Sequence, residues 1–223
     1  MNRSQAMIQT EPVHVDISGV TLEGDLAVPA GAHGLILFAH GSGSSRFSPR
    51  NRYVAEALDR RSFATLLLDL LTPREEATDR RTAHLRFDVE LLATRLVEVC
   101  EWIRRQRALA SLRIGLFGAS TGAGAALIAA ATRPDLVAAI VSRGGRPDLA
   151  GPALPLVTAP TLLIVGERDE TVVQLNNDAM HRMRTEVRLE LVPGATHLFE
   201  EPGTLERAAG LAGEWFDAHM TSK

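Results

Sequence analysis

Residues 118–122 of this chain (Gly-Ala-Ser-Thr-Gly) have the types and spacing of a nucleophile elbow. They follow an apolar run at residues 112–117, typical of a buried parallel strand, and precede an alanine-rich stretch at residues 123–133, typical of a helix. So tight a turn holds its serine in a strained conformation, with the hydroxyl above the sheet edge at a helix N-terminus. The pattern predicts that Ser120 is a nucleophile, although a serine at this place is often only a helix cap.

A nucleophilic serine needs a base and an acid, and candidates for both follow later in the chain. Asp169 comes just after the apolar run at residues 160–166, and His197 comes after the alternating run at residues 187–192. The carboxyl ends of the strands in an open α/β sheet meet at one edge, where site residues lie. The order Ser120, Asp169, His197 therefore predicts a catalytic triad with one member after each of three strands.

The motif at residues 40–43 (His-Gly-Ser-Gly) follows another apolar run, residues 34–39, and suits an oxyanion hole. Such a hole needs two N–H donors aimed at one point. We expect the backbone amides of Ser42 and Thr121 to be these donors, although the motif alone could be a flexible turn. His40 is a candidate substrate-binding residue, and the simpler interpretation is that it braces this loop.

Together these motifs resemble those of the α/β-hydrolases, and within them the dienelactone hydrolase-like group. The resemblance rests on residues 40–43, on residues 118–122, on residues 166–169 (Gly-Glu-Arg-Asp) and on residues 194–197 (Gly-Ala-Thr-His). It implies a serine hydrolase that cleaves a small carboxylic ester or lactone through an acyl-enzyme. Dienelactone hydrolases proper use a cysteine nucleophile, whereas this elbow carries serine and Cys100 lies elsewhere. Dienelactone itself is therefore a doubtful substrate.

Strands alternate with helices along the chain, which predicts a mostly parallel, doubly wound sheet in one domain of residues 1–223. This is the α/β-hydrolase fold, with an N-terminal antiparallel hairpin and no cap domain. Residues 1–12 are expected to be a poorly ordered N-terminal segment. The remaining elements are predicted as a hairpin (13–17 and 21–28), strands (64–68 and 137–141), a charged loop (72–81) and helices (51–60, 83–106, 172–183 and 204–219).

Arg143 is the second candidate substrate-binding residue, because it lies just past a strand end on the side of the predicted site. A guanidinium there could bind a substrate carboxylate through two hydrogen bonds. The alternative is that Arg143 pairs with a local acid such as Asp148 or Glu75. The first interpretation predicts a substrate that carries an acid group.

Composition limits the remaining function classes. The chain has 223 residues and a net charge of −3, with no block of Lys or Arg, so no nucleic-acid partner is expected. One cysteine allows no internal disulfide, and neither a metal nor a cofactor is expected. No apolar run is long enough for a membrane span or signal peptide, so the expected location is the cytoplasm. A small-molecule substrate and a possible homodimer are the only partners expected.

Two alternatives belong to other classes. Gly118, Gly122 and Gly124 also have the spacing of a nucleotide-binding loop of short-chain dehydrogenases, which would bind a pyrophosphate. That family places this loop after its first strand and needs a Tyr-x-x-x-Lys pair, whereas Tyr53 is followed four residues on by Ala57. The other alternative is a catalytically silent hydrolase fold that binds a ligand, although such proteins usually lack a triad residue.

Overall fold

The computed structural model describes residues 9–221, and its centre is one sheet of eight strands. The strands are β1 (Thr10–Ile17), β2 (Val20–Ala27), β3 (Gly34–Ala39), β4 (Phe63–Leu68), β5 (Arg113–Ala119), β6 (Val137–Arg143), β7 (Thr161–Gly166) and β8 (Val187–Val192). Their order across the sheet is β1-β2-β4-β3-β5-β6-β7-β8. β2 pairs antiparallel with β1 and β4, and all other neighbours are parallel.

The central strands are buried on both faces, which explains their continuous apolar sequences. Their register places the ends of three strands side by side, because Ala39 pairs with Gly118 and Gly118 pairs with Ser142. The loops that follow β3, β5 and β6 therefore leave the sheet at one edge. This edge is where the sequence predicts the site.

Six α-helices cover the two faces of the sheet. They are α1 (Pro49–Asp59), α2 (Pro73–Thr82), α3 (Val89–Arg105), α4 (Thr121–Thr132), α5 (Glu170–Arg182) and α6 (Thr204–Met220). One apolar core lies beneath α3 and α4, and a second lies beneath α1 and α6. Helix α4 is buried all round, because its many alanines let it lie close to the sheet. The observed fold confirms the predicted α/β-hydrolase class and the antiparallel hairpin at the start.

Residues 72–81, predicted as a loop, instead form α2. The Thr72 side chain accepts from the Glu75 N–H, and the Glu75 carboxylate accepts from the Thr72 N–H, so the helix begins with a capping box. Arg95 of α3 then binds both carboxylate oxygens of Glu75, at 2.6 and 2.8 Å. A helix without an apolar face is thus held by its cap, by the ion pair to Arg95 and, near its other end, by the ion pair between Asp79 and Arg86.

Other boundaries also differ from the prediction. The strand predicted over residues 137–141 extends to Arg143, so this candidate residue ends β6 and does not lie past it. The helix predicted over residues 83–106 begins only at Val89, because Ala83 is left-handed, Leu85–Phe87 form a 3-10 turn, and Asp88 caps α3. Residues 1–12 were expected to be poorly ordered, and the first eight of them lie outside the described residues. Of the remaining four, Thr10 and those after it already belong to β1.

The link between β6 and β7 contains only the 3-10 segment Pro147–Leu156, kinked at Gly151. Over residues 9–221, no cap domain stands above the sheet edge. None of the helices in this range is long and apolar enough to cross a membrane.

Asp59 makes the stability of the fold depend on pH. Its carboxylate is buried at the end of α1, accepts from the Thr65 hydroxyl at 2.8 Å, and has its pKa raised by burial from 3.8 to about 6. A carboxyl whose pKa is higher in the folded than in the unfolded chain stabilises the fold at pH values below the unfolded pKa of 3.8. This stabilisation is lost as the pH rises through about 6. We expect Asp59→Asn to raise the free energy of unfolding at about pH 8 and to lose this gain towards pH ~4.5.

Denaturant unfolding of both proteins at the two pH values measures this effect. Glu214→Gln, which removes an exposed carboxylate from α6, is the control for a general loss of negative charge. An equal gain for Asp59→Asn at both pH values would contradict the assignment.

Candidate active site

Ser120 lies in a sharp turn between β5 and α4, with φ 49° and ψ −123°. This backbone conformation is strained for a residue with a side chain and costs about 1–3 kcal/mol. The flanking glycines allow the turn to close. A Cβ at Gly118 would lie 2.5 Å from the Ala123 Cα, and a Cβ at Gly122 would overlap the Ala39 carbonyl oxygen. The turn therefore has the geometry of a nucleophile elbow.

Asp169 and His197 meet at the same sheet edge. His197 Nδ1 lies 2.6 Å from Asp169 Oδ2, although the two residues are 28 positions apart. Asp169 is the N-cap residue of α5 but makes no side-chain cap bond, so its carboxylate is free for the histidine. With Nδ1 facing a carboxylate, the ring proton belongs on Nδ1 and Nε2 is the basic nitrogen.

The loop after β6 connects Ser120 to His197. The Arg146 N–H donates to the Ser120 carbonyl at 3.0 Å, and a Cβ at Gly144 would lie 3.7 Å from His197 Cε1. Within residues 9–221, Ser120 Oγ makes no hydrogen bond to the imidazole. Such contacts are often long before substrate binds. The structure thus brings Ser120, Asp169 and His197 to one sheet edge. Of the two hydrogen bonds that a triad needs, the one between Asp169 and His197 is formed and the one between His197 and Ser120 is not.

The predicted oxyanion donors also come together, but one of them already has a partner. The Ser42 N–H donates to Thr121 Oγ1 at 2.9 Å, across 79 positions of the chain. Thr121 is the first residue of α4, so its own N–H has no partner within the helix. A Cβ at Gly41 would lie 2.8 Å from the Ser120 Cβ, so only glycine lets the Ser42 loop approach the elbow this closely.

The loop of Ser42 is anchored at its far end by Asp69. The Arg46 N–H donates to Asp69 Oδ1 at 2.7 Å, and the Arg46 side chain binds both Asp69 and Glu23. Sequence reasoning missed this anchor, because no local pattern links residues 23 positions apart. We treat Asp69 as a positioning residue for the loop.

His40 lies at the base of this loop. Its Nδ1 faces the Gly41 carbonyl at 3.0 Å, and its Nε2 accepts from the Leu70 N–H at 3.4 Å. The Nε2 atom also lies 3.7 Å from Asp69 Oδ1. Both ring nitrogens thus have partners in neighbouring segments, as expected of a histidine that braces the loop.

Comparison with known proteins adds to this geometry. The model of the dienelactone hydrolase family matches residues 26–217. The chain belongs to the dienelactone hydrolase family. The crystal structure of a dienelactone hydrolase from Anabaena variabilis is 56% identical, with a TM-score of 0.95, over 96% of this chain and 100% of that one.

The chain is also similar to proteins that are more distant in sequence than the Anabaena protein or longer than this chain. An esterase of Pyrococcus furiosus has a TM-score of 0.73 at 18% identity, over 96% of this chain and 92% of that one, which shows the shared fold. Two curated Mycobacterium tuberculosis proteins, whose names suggest a phosphoribosyl transferase, are each 57% identical over 213 residues. That match covers 96% of this chain and 47% of theirs, so the chain spans about half the length of these relatives. The family match and the similarity to hydrolase structures support a hydrolase.

In this family member, Arg143 is buried and has no acidic partner among the described residues. The acids expected as alternatives are engaged elsewhere, because Asp148 binds Arg146 at 2.7 Å and Glu75 binds Arg95 at 2.6 Å. The Arg143 guanidinium donates instead to Asn51 Oδ1 at 3.3 Å, and its Nη1 is buried without a partner. Burial, together with the charge of Arg50, lowers the pKa of Arg143 to about 10.

A cavity of about 240 Å³ adjoins the candidate oxyanion loop. Helix α2 and the turn that follows it form its outer wall, so the segment predicted as a loop shapes the space beside Ser42. Asp79 stabilises this wall, because its buried carboxylate accepts from the Leu85 N–H and from Arg86 Nε, both at 2.6 Å. The lining includes Ser42, Asp69, Asp79, Arg80, Arg86 and Leu92.

Proposed function

We propose that this chain is a serine hydrolase that cleaves small carboxylic esters or lactones. The observation that carries the proposal is the 2.6 Å contact between Asp169 and His197 at the sheet edge that holds the strained Ser120. The similarity to hydrolases supports the reaction class, and the serine at the elbow supports an acyl-enzyme. The 240 Å³ cavity adjoins the candidate oxyanion loop at Ser42, although neither Ser120 nor His197 lines it.

In the proposed reaction, Ser120 Oγ attacks the carbonyl carbon while His197 Nε2 takes the hydroxyl proton. The carbonyl π electrons move to its oxygen, and the oxyanion hole stabilises the resulting charge. The C–O bond to the leaving group then breaks, and His197 returns the proton to the departing oxygen. Water, deprotonated by His197, then attacks the acyl carbon, the bond from this carbon to Ser120 Oγ breaks, and His197 returns the proton to Oγ as the acid leaves.

Each residue has a physical role in this scheme. Asp169 fixes the imidazole tautomer and stabilises the imidazolium that forms after proton transfer. A backbone donor in an oxyanion hole lowers the barrier by about 2.7–4 kcal/mol. The Thr121 N–H, which has no helical partner, is the better placed of the two expected amides.

Intact mass after exposure to a small fluorophosphonate tests the proposal. We expect one adduct on the wild-type chain and none on Ser120→Ala, because only an activated serine displaces fluoride from phosphorus. Hydrolysis of a panel of esters that differ in acyl length and charge then defines the substrate. A wild-type chain that takes up no label would support the catalytically silent alternative.

The other functions are less well supported. The glycines that resemble a nucleotide loop are needed for packing: Gly118 lies against Ala123 in the elbow, and a Cβ at Gly124 would lie 2.9 Å from the Leu149 Cβ. We propose no phosphoribosyl transfer for this chain, because the hydrolase family model spans residues 26–217.

Arg143 supports the proposal that the substrate carries a carboxylate, since among residues 9–221 its buried guanidinium has an unpartnered nitrogen and no acidic partner. We expect Arg143→Met to lower the preference for anionic over neutral esters by about tenfold or more, as befits a charge-assisted hydrogen bond of about 1.5–3 kcal/mol. The ratio of kcat/KM for the two ester types measures this preference. Arg146→Met, which removes a guanidinium already paired with Asp148, is the matched control. An unchanged ratio in Arg143→Met would exclude the role.

A further inference from the structure

The Thr121 hydroxyl is buried and only half of its hydrogen bonding is accounted for. The residue is only 4% exposed, and its hydroxyl oxygen accepts from the Ser42 N–H at 2.9 Å. Its hydrogen has no acceptor among residues 9–221. A buried donor without an acceptor costs about 1–3 kcal/mol, so such groups usually have a partner. This unused O–H points to a partner that is present only during the reaction.

Thr121 and Ser42 together supply three hydrogen-bond donors beside Ser120. The Thr121 N–H and its hydroxyl belong to the residue that directly follows Ser120, and the Ser42 N–H reaches the hydroxyl from the neighbouring loop. A hydroxyl can accept one hydrogen bond and donate another at the same time. Accepting from an amide polarises the O–H and makes it a stronger donor.

We propose that Thr121 Oγ1–H donates to the oxyanion of the tetrahedral intermediate, in addition to the Thr121 amide. The inference rests on the proposed serine hydrolase function. The Ser42 amide then acts on the oxyanion largely through this hydroxyl, without a rotation of the threonine side chain. Because an oxyanion accepts more strongly than a carbonyl, the hydroxyl stabilises the transition state more than the bound substrate.

Replacing Thr121 with valine keeps the side-chain shape and removes the hydroxyl. We expect Thr121→Val to lower kcat/KM for a neutral ester by about 10²-fold, the effect of losing one oxyanion donor, with KM nearly unchanged. Thr121→Ser, which retains the hydroxyl, is expected to keep most of the wild-type activity. Thr132→Val is the matched control, because Thr132 lies on the same helix with its hydroxyl bonded to the Ile128 carbonyl.

Binding of a trifluoromethyl ketone distinguishes a donor from a structural residue. Ser120 Oγ adds to the ketone carbon, the π electrons move to the oxygen, and the serine proton goes to His197, so the adduct places an oxyanion in the hole. We expect the inhibition constant to rise in Thr121→Val by the same factor by which kcat/KM falls. A fall in kcat/KM with an unchanged or lower inhibition constant would overturn the proposal, as would unchanged activity.

Circular dichroism checks the fold of each variant, and Thr121→Ala repeats the test if the valine variant fails to fold.

Fluorophosphonate labelling keeps this inference separate from the proposed function. An unlabelled wild-type chain would overturn both. A labelled wild-type chain, with Thr121→Val as active as wild type, would overturn only the role of the hydroxyl.

Discussion

Ser120→Ala is expected to abolish ester hydrolysis, with kcat falling by about 10⁶-fold, because no other group can form the acyl-enzyme. The remaining oxyanion donors and the binding site would leave a small rate above that in water. KM should change little, since the hydroxyl bonds covalently only after the substrate has bound. Initial rates on the best ester of the panel, with the fluorophosphonate mass shift as a count of active serines, measure the effect.

Ser120→Gly is the control for Ser120→Ala, because the two variants differ in the backbone strain at the elbow. Alanine keeps the Cβ at φ 49°, whereas glycine removes it, so Ser120→Gly should be equally inactive but more stable than Ser120→Ala. Thermal unfolding of the two variants measures this difference. An alanine variant that retained hydrolysis on a correctly folded chain would refute Ser120 as the nucleophile.

Asp169→Asn is expected to lower kcat by about 10⁴-fold with the fold intact. Asparagine can present an N–H to His197 Nδ1 where the carboxylate now accepts at 2.6 Å. The imidazole would then carry its proton on Nε2, where it cannot take the proton of Ser120. The loss of negative charge would also remove the stabilisation of the imidazolium.

Rates of the Asp169→Asn variant should be compared with those of Asp178→Asn, which removes an exposed carboxylate from the same helix α5. We expect the control to keep wild-type rates. A nearly silent Asp169→Asn would point to another acid. Asp69 is a poor replacement, because Arg46 and the anchored loop already occupy its carboxylate.

The sheet and the positions of the candidate site residues could be predicted because their signals are local. Buried parallel strands such as β3 and β7 are continuous apolar runs. Ser120 directly follows β5 and Asp169 comes soon after β7, whereas His197 follows the alternating strand β8. The elbow has a pattern of small residues that the tight turn itself requires. Strand order and chain order then bring Ser120, Asp169 and His197 to one edge.

The segment after β4 contains a local signal for a helix that its charged composition outweighed in the prediction. Residues 72–81 are rich in charged side chains and lack an apolar face, and a loop was predicted for that reason. The sequence Thr-Pro-Arg-Glu at residues 72–75 is nonetheless a capping box with proline in the first turn, which favours a helix start.

Contacts between distant parts of the chain could not be predicted from local patterns. Arg143 reaches Asn51 across 92 positions, and Ser42 reaches Thr121 across 79. The sequence left open whether Arg143 pairs with a local acid such as Asp148 or Glu75, and in the structure both acids bind other arginines. Its burial without a counter-charge became visible only once the fold placed α1 beside the end of β6.

Helix α2 has a consequence for how related chains can diverge in substrate range. It borders the cavity beside Ser42, yet its surface is mostly exposed and Arg95 and Glu75 tie it to α3. Substitutions along its cavity side can alter which molecules enter without disturbing the sheet or the elbow. Substitutions in this one peripheral helix can therefore change the range of substrates while the catalytic chemistry stays the same.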